Sequence, residues 1–375
     1  MTEKKKILVV VGTRPEAIKM APVILALREQ EWAEVTVLAT AQHRQMLDQV
    51  MSAFGIDTDI DLNLMRPNQS LTELTARILQ GMDEVFRERE FDAVLVQGDT
   101  TTVMAVALAA FYRRIPVGHI EAGLRTGDIH NPFPEEMNRV VAGRLSRWHF
   151  APTQSARQNL IREGYPDTAV HVTGNTVIDA LMTVASRELD IGVALPHDRR
   201  LVLVTSHRRE NFGQPLREIC QAVRDLVEKY PDIHVLFPVH PNPNVVSTVD
   251  EILSGHPSIT LTSPLDYLPF VAAMKRAYLV LSDSGGVQEE APALAKPVLV
   301  LRRETERPEA VEEGVVRLVG ADRDAIVAQA SALLDDAGAY AAMARGVSPY
   351  GDGKASQRIV SILKEGLSVQ VAMPA

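Results

Sequence analysis

Charged side chains recur just after the apolar runs that predict buried strands. Asp99, Glu121 and His207 each come within three residues of the end of such a run, and Arg14 follows the first run in the chain. Carboxylates with different pKa values can move protons, and arginine or histidine can hold a diphosphate through charge-assisted hydrogen bonds. These residue types predict an acid–base site that also binds an anion.

Each of these residues also has a structural interpretation. Asp99 precedes three threonines and could cap the following helix. Glu121 ends an apolar strand, where a carboxylate must be paired or shifted in pKa, and Arg125 is a possible structural partner. His119 and His149 lie inside predicted strands and are interpreted as core histidines with satisfied hydrogen bonds.

A phosphate-binding site is predicted within residues 279–300. An apolar run is followed by a turn at 282–286, which contains two glycines, and then by a helix at 287–295. Unpaired N–H groups at a helix start attract phosphate, and glycines let a ligand approach the main chain closely. Glu289 and Glu290 are placed in the first helical turn, where they could cap N–H groups or bind ribose hydroxyls. The alternative is a tight turn before a favourable helix start.

Composition limits the partners and cofactors. The chain has 375 residues, 46% of them hydrophobic, and a net charge of −9, which argues against nucleic acid or an acidic membrane surface as a partner. Cys220 is the only cysteine, and no run of the sequence is typical of a signal peptide or a membrane span, so a cytoplasmic location is predicted.

No cofactor is expected. His207 and His240 end separate predicted strands, but no His-x-x-x-His helix or neighbouring cysteine accompanies them, so a metal site is not predicted. No strand is followed by Gly-x-Gly-x-x-Gly or by a Walker loop, so a dinucleotide is not predicted either. The chemistry must be performed by side chains alone.

Short apolar strands alternate with helices through both halves of the chain. This pattern predicts an α/β fold with two Rossmann-like, doubly wound parallel sheets. Residues 188–199 lose periodicity, so the boundary is placed there, with domains at 1–190 and 191–375. Ligands bind outside the carboxyl ends of such strands, so two domains facing each other would form a cleft that binds the ligand.

Ten motifs, in order over nearly the whole chain, together resemble the non-hydrolysing bacterial UDP-N-acetylglucosamine 2-epimerases. They are GTRPEAIKMAP (12–22), TAQHRQMLDQV (40–50), GDTTT (98–102), GHIEAGLRTGD (118–128), PFPEEMNR (132–139), TGNTVIDAL (173–181), HRREN (207–211), DSGGVQEEAP (283–292), ERPEA (306–310) and SPYGDG (348–353).

The resemblance implies a glycosyltransferase-B type fold, with the last helix packing back on the first domain. It also implies interconversion of UDP-N-acetylglucosamine and UDP-N-acetylmannosamine by a homodimer, without cofactor. In that family the C2 proton is removed and UDP leaves, giving 2-acetamidoglucal, before UDP adds back and the proton is delivered to the opposite face.

Site residues are carried over by motif. Asp99, Glu121 and Glu135 resemble the family's proton-transfer carboxylates, and His207 resembles the residue that stabilises the diphosphate. The implied substrate-binding residues are Arg14, Lys19, Arg139, Phe270, Ser284, Gly285, Gly286, Glu290 and Arg307. A second UDP-N-acetylglucosamine, acting as an activator, would contact Gln42, Gln45, Gln69, Arg209 and His240.

The chain departs from the family pattern at three positions. Asn68 stands where some relatives have an arginine associated with activation, and Ser348 replaces an asparagine. Ser206 stands where glycine or alanine is common and could add a hydrogen bond near the phosphates. The alternatives left open are a retaining glycosyltransferase, a hydrolysing epimerase and a non-catalytic sugar-nucleotide sensor.

Overall fold

The computed structural model describes residues 3–40, 44–66 and 69–368, with backbone alone for 44–46. Gln42, Asn68 and the side chain of Gln45 therefore lie outside the described residues. Contacts divide the chain into two compact units, Met1–Ala180 with Tyr350–Ala375 (unit 1) and Leu181–Pro349 (unit 2). Unit 2 is thus inserted into the sequence of unit 1.

Unit 1 is built on a parallel sheet. In its described part the sheet has seven strands in the order β3-β2-β1-β4-β5-β6-β7. The elements are β1 (Lys5–Val11), α1 (Arg14–Arg28), β2 (Ala33–Ala39), α2 (Arg44–Ala53), β3 (Ile60–Asp61), α3 (Leu71–Glu88), β4 (Ala93–Gln97), α4 (Thr101–Tyr112), β5 (Val117–Ile120), α5 (Glu135–Leu145), β6 (Trp148–Ala151), α6 (Gln154–Arg162), β7 (Val170–Val172) and α7 (Thr176–Ala185), which runs across the unit boundary.

Unit 2 repeats this plan with a parallel sheet in the order β10-β9-β8-β11-β12-β13. Its elements are β8 (Arg200–Thr205), α8 (Gln214–Lys229), β9 (Ile233–Pro238), α9 (Pro243–Leu253), β10 (Ile259–Thr262), α10 (Tyr267–Arg276), β11 (Leu279–Ser282), α11 (Gly285–Ala293), β12 (Val298–Val300), α12 (Pro308–Glu312), β13 (Val316–Leu318), α13 (Arg323–Asp335) and α14 (Ala337–Met343). The chain then returns to unit 1 as α15 (Ala355–Ser368), which packs on α1.

The central strands are buried on both faces. Leu8 and Val10 of β1 pack into a cluster with α3 and α4, while Ile7, Val9 and Val11, which alternate with them, are also fully buried. A strand covered on both faces must be apolar throughout, which is why residues 7–11 form an unbroken hydrophobic run. The doubly wound α/β class predicted from the alternation of strands and helices is confirmed for each unit.

Among the described residues, no helix combines the length and apolarity that crossing a bilayer requires. The apolar helix α4 shows the difference, because eight of its residues are buried inside unit 1. Its hydrophobicity is accounted for by the protein core.

Candidate active site

Strand order places the loops after β1, β4, β8 and β11 at the two topological switch points. In unit 1 the order reverses between β1 and β4, and in unit 2 between β8 and β11. Helices that follow neighbouring strands there lie on opposite faces, which opens a crevice at the carboxyl ends of the strands. Asp99, His207, Arg209 and Ser284 lie on these loops, and Arg14 and Gly285 begin the helices that follow two of them.

The loop after β1 is fixed by a buried glutamate. Thr13 caps α1, and Glu16 accepts hydrogen bonds from the N–H groups of Gly12, at 2.5 Å, and Thr13, at 3.3 Å. Burial raises the pKa of Glu16 to about 7, although these hydrogen bonds oppose the shift. Arg14 follows as the first residue of α1 and has no side-chain hydrogen bond or ion pair to another described residue.

Lys19, one turn further along α1, binds Glu121. Its ammonium group lies 2.8 and 2.6 Å from the two carboxylate oxygens. Asn175 donates to the same carboxylate at 3.0 Å, and the amide of Gln97 donates to it through a short hydrogen bond. Glu121 is 9% exposed, so its charge is balanced inside the protein.

The backbone of Glu121 has φ +62°, in the left-handed region that non-glycine residues seldom occupy. The predicted structural pair of Glu121 with Arg125 is wrong. The chain turns sharply after Glu121, and Arg125 instead binds Glu163 at 2.6 and 2.9 Å. This leaves Glu121 directed at Lys19.

Asp99 is held by Arg139, whose guanidinium lies 2.8 Å from it and 3.3 Å from Glu136. The helix-cap interpretation of Asp99 is wrong, because the side chain of Thr100 caps α4. Burial raises the pKa of Asp99, Arg139 opposes the shift, and the negative charge of Glu121 adds to it.

Glu135 is half-buried and is the first residue of α5, as predicted. Its negative charge also raises the pKa of Asp99 slightly, so it lies within electrostatic range of that carboxyl group. Unit 1 therefore brings together Asp99, Glu121, Glu135, Lys19 and Arg139.

The two strand histidines are core residues, as predicted, but their hydrogen bonds are incomplete. His119 Nε2 lies 2.7 Å from the carbonyl oxygen of Gly98, and the His149 ring packs edge-on against Tyr165. The Nδ1 atom of each ring has no partner among the described residues. Burial lowers the pKa of His119 to about 4 and that of His149 to about 3, so both rings are neutral.

In unit 2 the loop after β8 is organised by Asp283, which follows β11. The fully buried Asp283 carboxylate accepts hydrogen bonds from the backbone N–H groups of His207 and Arg208 and from the Asn211 amide, at 2.9–3.1 Å. Ser206 donates to it at 2.9 Å. The hydroxyl of Ser206 is thus used to hold the loop and is not available to phosphates.

The His207 side chain is 43% exposed, with Nδ1 3.3 Å from Asp283. Burial lowers the pKa of His207, while the charge of Asp283 opposes the shift. Its ring stacks with that of His240 at a centroid distance of 6.3 Å. The exposed part of the imidazole is available to a ligand.

The glycine segment differs from the prediction in register. The helix α11 begins at Gly285, so both glycines lie in its first turn and Glu289 and Glu290 fall in its second. Glu289 binds Arg307, and a carboxylate oxygen of Glu290 lies 3.7 Å from the position of a β-carbon built on Gly286.

Two arginines stand at the start of α11. A β-carbon built on Gly285 would lie 3.8 Å from a guanidinium nitrogen of Arg208 and 3.9 Å from one of Arg307. The helix start, with the half-buried Ser284, Gly285 and Gly286, therefore carries two cations beside its N–H groups. This is a site with the charge and donors that a diphosphate requires.

Neighbouring loops are tied together around this site. Arg302, 9% exposed along its side chain, binds Glu210 at 2.6 Å and Glu306 at 2.8 Å, which joins the loop after β8 to the loop before α12. The Ser348 hydroxyl donates to the carbonyl of Glu289 at 3.2 Å. The serine that departs from the family pattern thus supports the partner of Arg307.

The remaining predicted residues are dispersed. Phe270 is half-buried on α10, and the exposed Arg209 and His240 flank His207 in unit 2. Gln69 lies in unit 1, where its side-chain oxygen accepts from Arg77 at 3.2 Å. Gln42 and the side chain of Gln45 are outside the described residues.

The residues in these networks that are not among the predicted site residues include Gln97, Asn175, Arg208 and Asp283. Asp283 follows a strand, so the rule that singles out Asp99 could have found it. Arg208 lies in a recognised motif. Asn175 also lies in a recognised motif. However, Gln97 and Asn175 are uncharged amides, and nothing in the local pattern indicates that they bind Glu121, which is 24 and 54 residues away in the sequence.

Two parallel α/β units of this strand order define a glycosyltransferase-B type fold. The chain is similar in fold to the structure of the glycotransferase of kitacinnamycin, with a TM-score of 0.66 over 96% of this chain and 99% of that chain, at 13% identity.

The family model for UDP-N-acetylglucosamine 2-epimerase matches residues 25–364. The UDP-N-acetylglucosamine 2-epimerase of Escherichia coli K12 is 52% identical over 369 residues, 96% of this chain and 98% of the relative. The crystal structure of the Neisseria meningitidis enzyme bound to UDP-GlcNAc has a TM-score of 0.86 and 48% identity, covering 96% of this chain and all of that chain. The chain belongs to the UDP-N-acetylglucosamine 2-epimerase family.

Proposed function

We propose that the protein catalyses the reversible epimerisation of UDP-N-acetylglucosamine at carbon 2, without hydrolysing it. The observation that carries the proposal is the pair of carboxylates in different environments in unit 1. Glu121 is bound by Lys19, whereas burial raises the pKa of Asp99. A proton acceptor and a proton donor within electrostatic range of each other suit a reaction that exchanges a proton on carbon.

The proposed reaction is an elimination followed by an addition. A carboxylate takes the C2 proton, the C1–O bond to UDP breaks, and a C1–C2 double bond forms, giving UDP and 2-acetamidoglucal. UDP then adds back to C1, and a proton is delivered to the opposite face of C2. Atoms and electrons balance without any oxidant or reductant, so acid and base side chains can perform every step.

The carboxylates have distinct roles in this proposal. Glu121, with its charge balanced by Lys19, accepts the proton, and Asp99, whose raised pKa favours the protonated form, donates one to the other face. Glu135 is the third candidate for proton transfer. In the reverse direction the roles of acceptor and donor exchange.

Unit 2 provides the site for the leaving diphosphate in this proposal. The start of α11, Arg208 and Arg307 offer N–H donors and positive charge, and His207 is held beside them by Asp283. Developing charge on the leaving phosphate is stabilised by donors already in place, which lowers the barrier to C1–O cleavage. Phe270 and Glu290 are proposed to contact uracil and ribose.

Family resemblance also supports activation by a second UDP-N-acetylglucosamine, a homodimeric assembly and a cytoplasmic location. Gln69, Arg209 and His240 are the described residues proposed for the activator site. Sedimentation of the purified protein measures the assembly, and a lag in turnover that added UDP-N-acetylglucosamine removes measures the activation.

The experiment is proton NMR of the protein with UDP-N-acetylglucosamine in deuterium oxide. Epimerisation predicts UDP-N-acetylmannosamine carrying deuterium at C2, and Asp99→Asn should abolish exchange while UDP binding persists. Release of UDP and free N-acetylmannosamine would identify a hydrolysing epimerase, turnover only with an added acceptor would identify a glycosyltransferase, and binding without turnover would indicate a sensor.

A further inference from the structure

The Glu121 carboxylate is bound by side chains from three elements that are far apart in sequence. Lys19 comes from α1, Gln97 is the last residue of β4, and Asn175 immediately precedes α7. Lys19 balances the negative charge of Glu121, whereas the two uncharged amides only orient its carboxylate. A lysine on a flexible stem can follow a carboxylate that moves, but two buried amides cannot.

Both amides are buried, and that of Asn175 is fixed by further hydrogen bonds. Gln97 and Asn175 are each 3% exposed, so water cannot readily take the place of either as a donor to Glu121. The Asn175 side-chain oxygen accepts from the N–H of Val177 at 3.1 Å, and its own backbone N–H donates to the carbonyl of Tyr350 at 2.6 Å. These contacts fix the Asn175 amide so that its NH₂ group faces Glu121.

The backbone of Glu121 explains why such support is needed. At φ +62° the residue is held in a sparsely populated conformation, and its carboxylate is almost enclosed. A carboxylate that must accept a proton from carbon has to remain in one position, because small displacements of a reacting group reduce the rate strongly.

We propose that Gln97 and Asn175 are positioning residues that aim the Glu121 carboxylate at the substrate carbon. The inference rests on the proposed function, since it names the groups that prepare Glu121 for proton transfer. Neither amide touches the substrate in this scheme. Both act through Glu121, and both favour its anionic form because they donate to it.

The experiment measures C2 proton exchange in deuterium oxide as a function of pH for wild type, Gln97→Met and Asn175→Asp. Gln97→Met keeps much of the original shape and loses the donor to Glu121. Asn175→Asp keeps an acceptor for the N–H of Val177 and, when ionised, replaces the donor with a second negative charge beside Glu121. We expect exchange at neutral pH to fall by about tenfold to a hundredfold, as is usual when a supporting hydrogen bond to a catalytic group is lost. We also expect the acidic limb of the pH profile to move to higher pH, with the affinity for UDP changed by less than about twofold.

Asn159→Ala is the matched control. Asn159 donates through its amide to the carbonyl of Gly123 at 3.0 Å, two residues after Glu121, and so supports the same loop through its backbone. Its loss should lower thermal stability without moving the pH profile. If one amide variant fails to fold, the other carries the test.

The outcomes distinguish failure of the positioning role from failure of the proposed function. If wild type exchanges its C2 proton and both amide variants match it in rate and pH profile, the positioning role is overturned and the proposed function stands. A rate loss that accompanies lower stability, with an unmoved pH profile as in Asn159→Ala, also overturns it. If wild type shows no exchange at all, the proposed function itself fails, and this assignment fails with it.

Discussion

At the scale of single residues, the burial of Glu16 in the loop after β1 makes the free energy of unfolding depend on pH. Its pKa rises from an ordinary value of 4.5 to about 7 on burial, so the native state binds more protons than the unfolded state between these pH values. The contribution of Glu16 to native stability therefore falls as pH rises through this window and levels off above it.

We predict that Glu16→Gln, which keeps an acceptor for the Gly12 N–H, gains stability relative to wild type as pH rises from about 4.5 to about 7.5. The gain should approach about 3 kcal/mol, the free energy of a shift of this size. Urea unfolding at a series of pH values measures it. A stability difference that is independent of pH would contradict the prediction.

Glu73 provides the control, because it has the same capping position on α3 but is exposed. Hydrogen bonds from Ser70 lower the pKa of Glu73, so its contribution has the opposite sign. The ionised Glu73 side chain stabilises the protein at pH values above its pKa in the unfolded state, and this stabilisation is lost as pH falls. The stability gap between wild type and Glu73→Gln should therefore close at acidic pH.

The proposed role of Arg208 in binding the diphosphate can be tested by substitution. Arg208→Gln should weaken UDP binding by about tenfold, because a charge-assisted contact to phosphate contributes roughly 1.5 kcal/mol or more. Calorimetric titration with UDP measures the loss. Arg217→Gln, which breaks a surface ion pair with Glu251, is the control and should bind UDP as wild type does.

Residue types at strand ends could be predicted from the sequence, but their partners could not. A charged residue after an apolar run indicates Asp99, Glu121 and His207 because parallel strands bring their carboxyl ends to one edge. The pairing of Glu121 with Lys19 spans 102 residues, and no local pattern records it. Arg125, four residues away, is the plausible choice from sequence and is the wrong one, since the left-handed backbone at Glu121 turns the chain away.

At the scale of elements, the turn between β5 and α5 depends on close packing against α6. Gly123 has φ +94°, and a β-carbon there would lie 2.3 Å from the carbonyl oxygen of Ala156. Gly127 has a similar φ of +82° but no atom within 4 Å of that position. The two glycines therefore separate the effect of backbone conformation from the effect of a clash.

We predict that Gly127→Ala lowers the free energy of unfolding by about 1–2 kcal/mol, the cost of left-handed backbone for alanine. Gly123→Ala should lose at least about 3 kcal/mol, because the clash with α6 adds to that cost. Denaturant unfolding of both variants measures the difference. Equal losses would mean that α6 moves away from the added methyl group at no further cost in free energy.

The start of α11 could be predicted only in part from the sequence. The strand, the glycines and the helix are all evident in the sequence, yet the helix begins two residues earlier than the pattern indicates. Glycine has a low intrinsic helix propensity, so in the sequence a helix that begins with Gly-Gly is difficult to distinguish from a turn. That shift moves Glu289 out of the first turn and onto Arg307.

At the scale of the whole molecule, α15 completes unit 1. Asp179 on α7 accepts hydrogen bonds from the N–H groups of Ala355, at 3.2 Å, and Ser356, at 2.7 Å, and so caps α15. The helix packs on α1, and Gly366 lies against Trp148. The segment that leads into it also supports Asn175 through Tyr350.

We predict that a chain ending at Pro349 loses the stability of unit 1 while unit 2 remains folded. Both tryptophans, Trp32 and Trp148, belong to unit 1, so tryptophan fluorescence reports on that unit alone. Emission should shift to longer wavelength as Trp148 becomes exposed, and unfolding should begin at lower urea. Retained UDP binding would show that unit 2 persists, whereas an unshifted emission spectrum would contradict the prediction.

The insertion of unit 2 into unit 1 fixes the order in which a ribosome can finish the two. All of Leu181–Pro349 has been translated before the first residue of α15, so every strand of the second sheet can pair while the first still lacks its last helix. The proposed UDP-binding unit is thus complete first. The Glu121 carboxylate gains its last indirect support, the carbonyl of Tyr350 that accepts from Asn175, only in the last stage of synthesis.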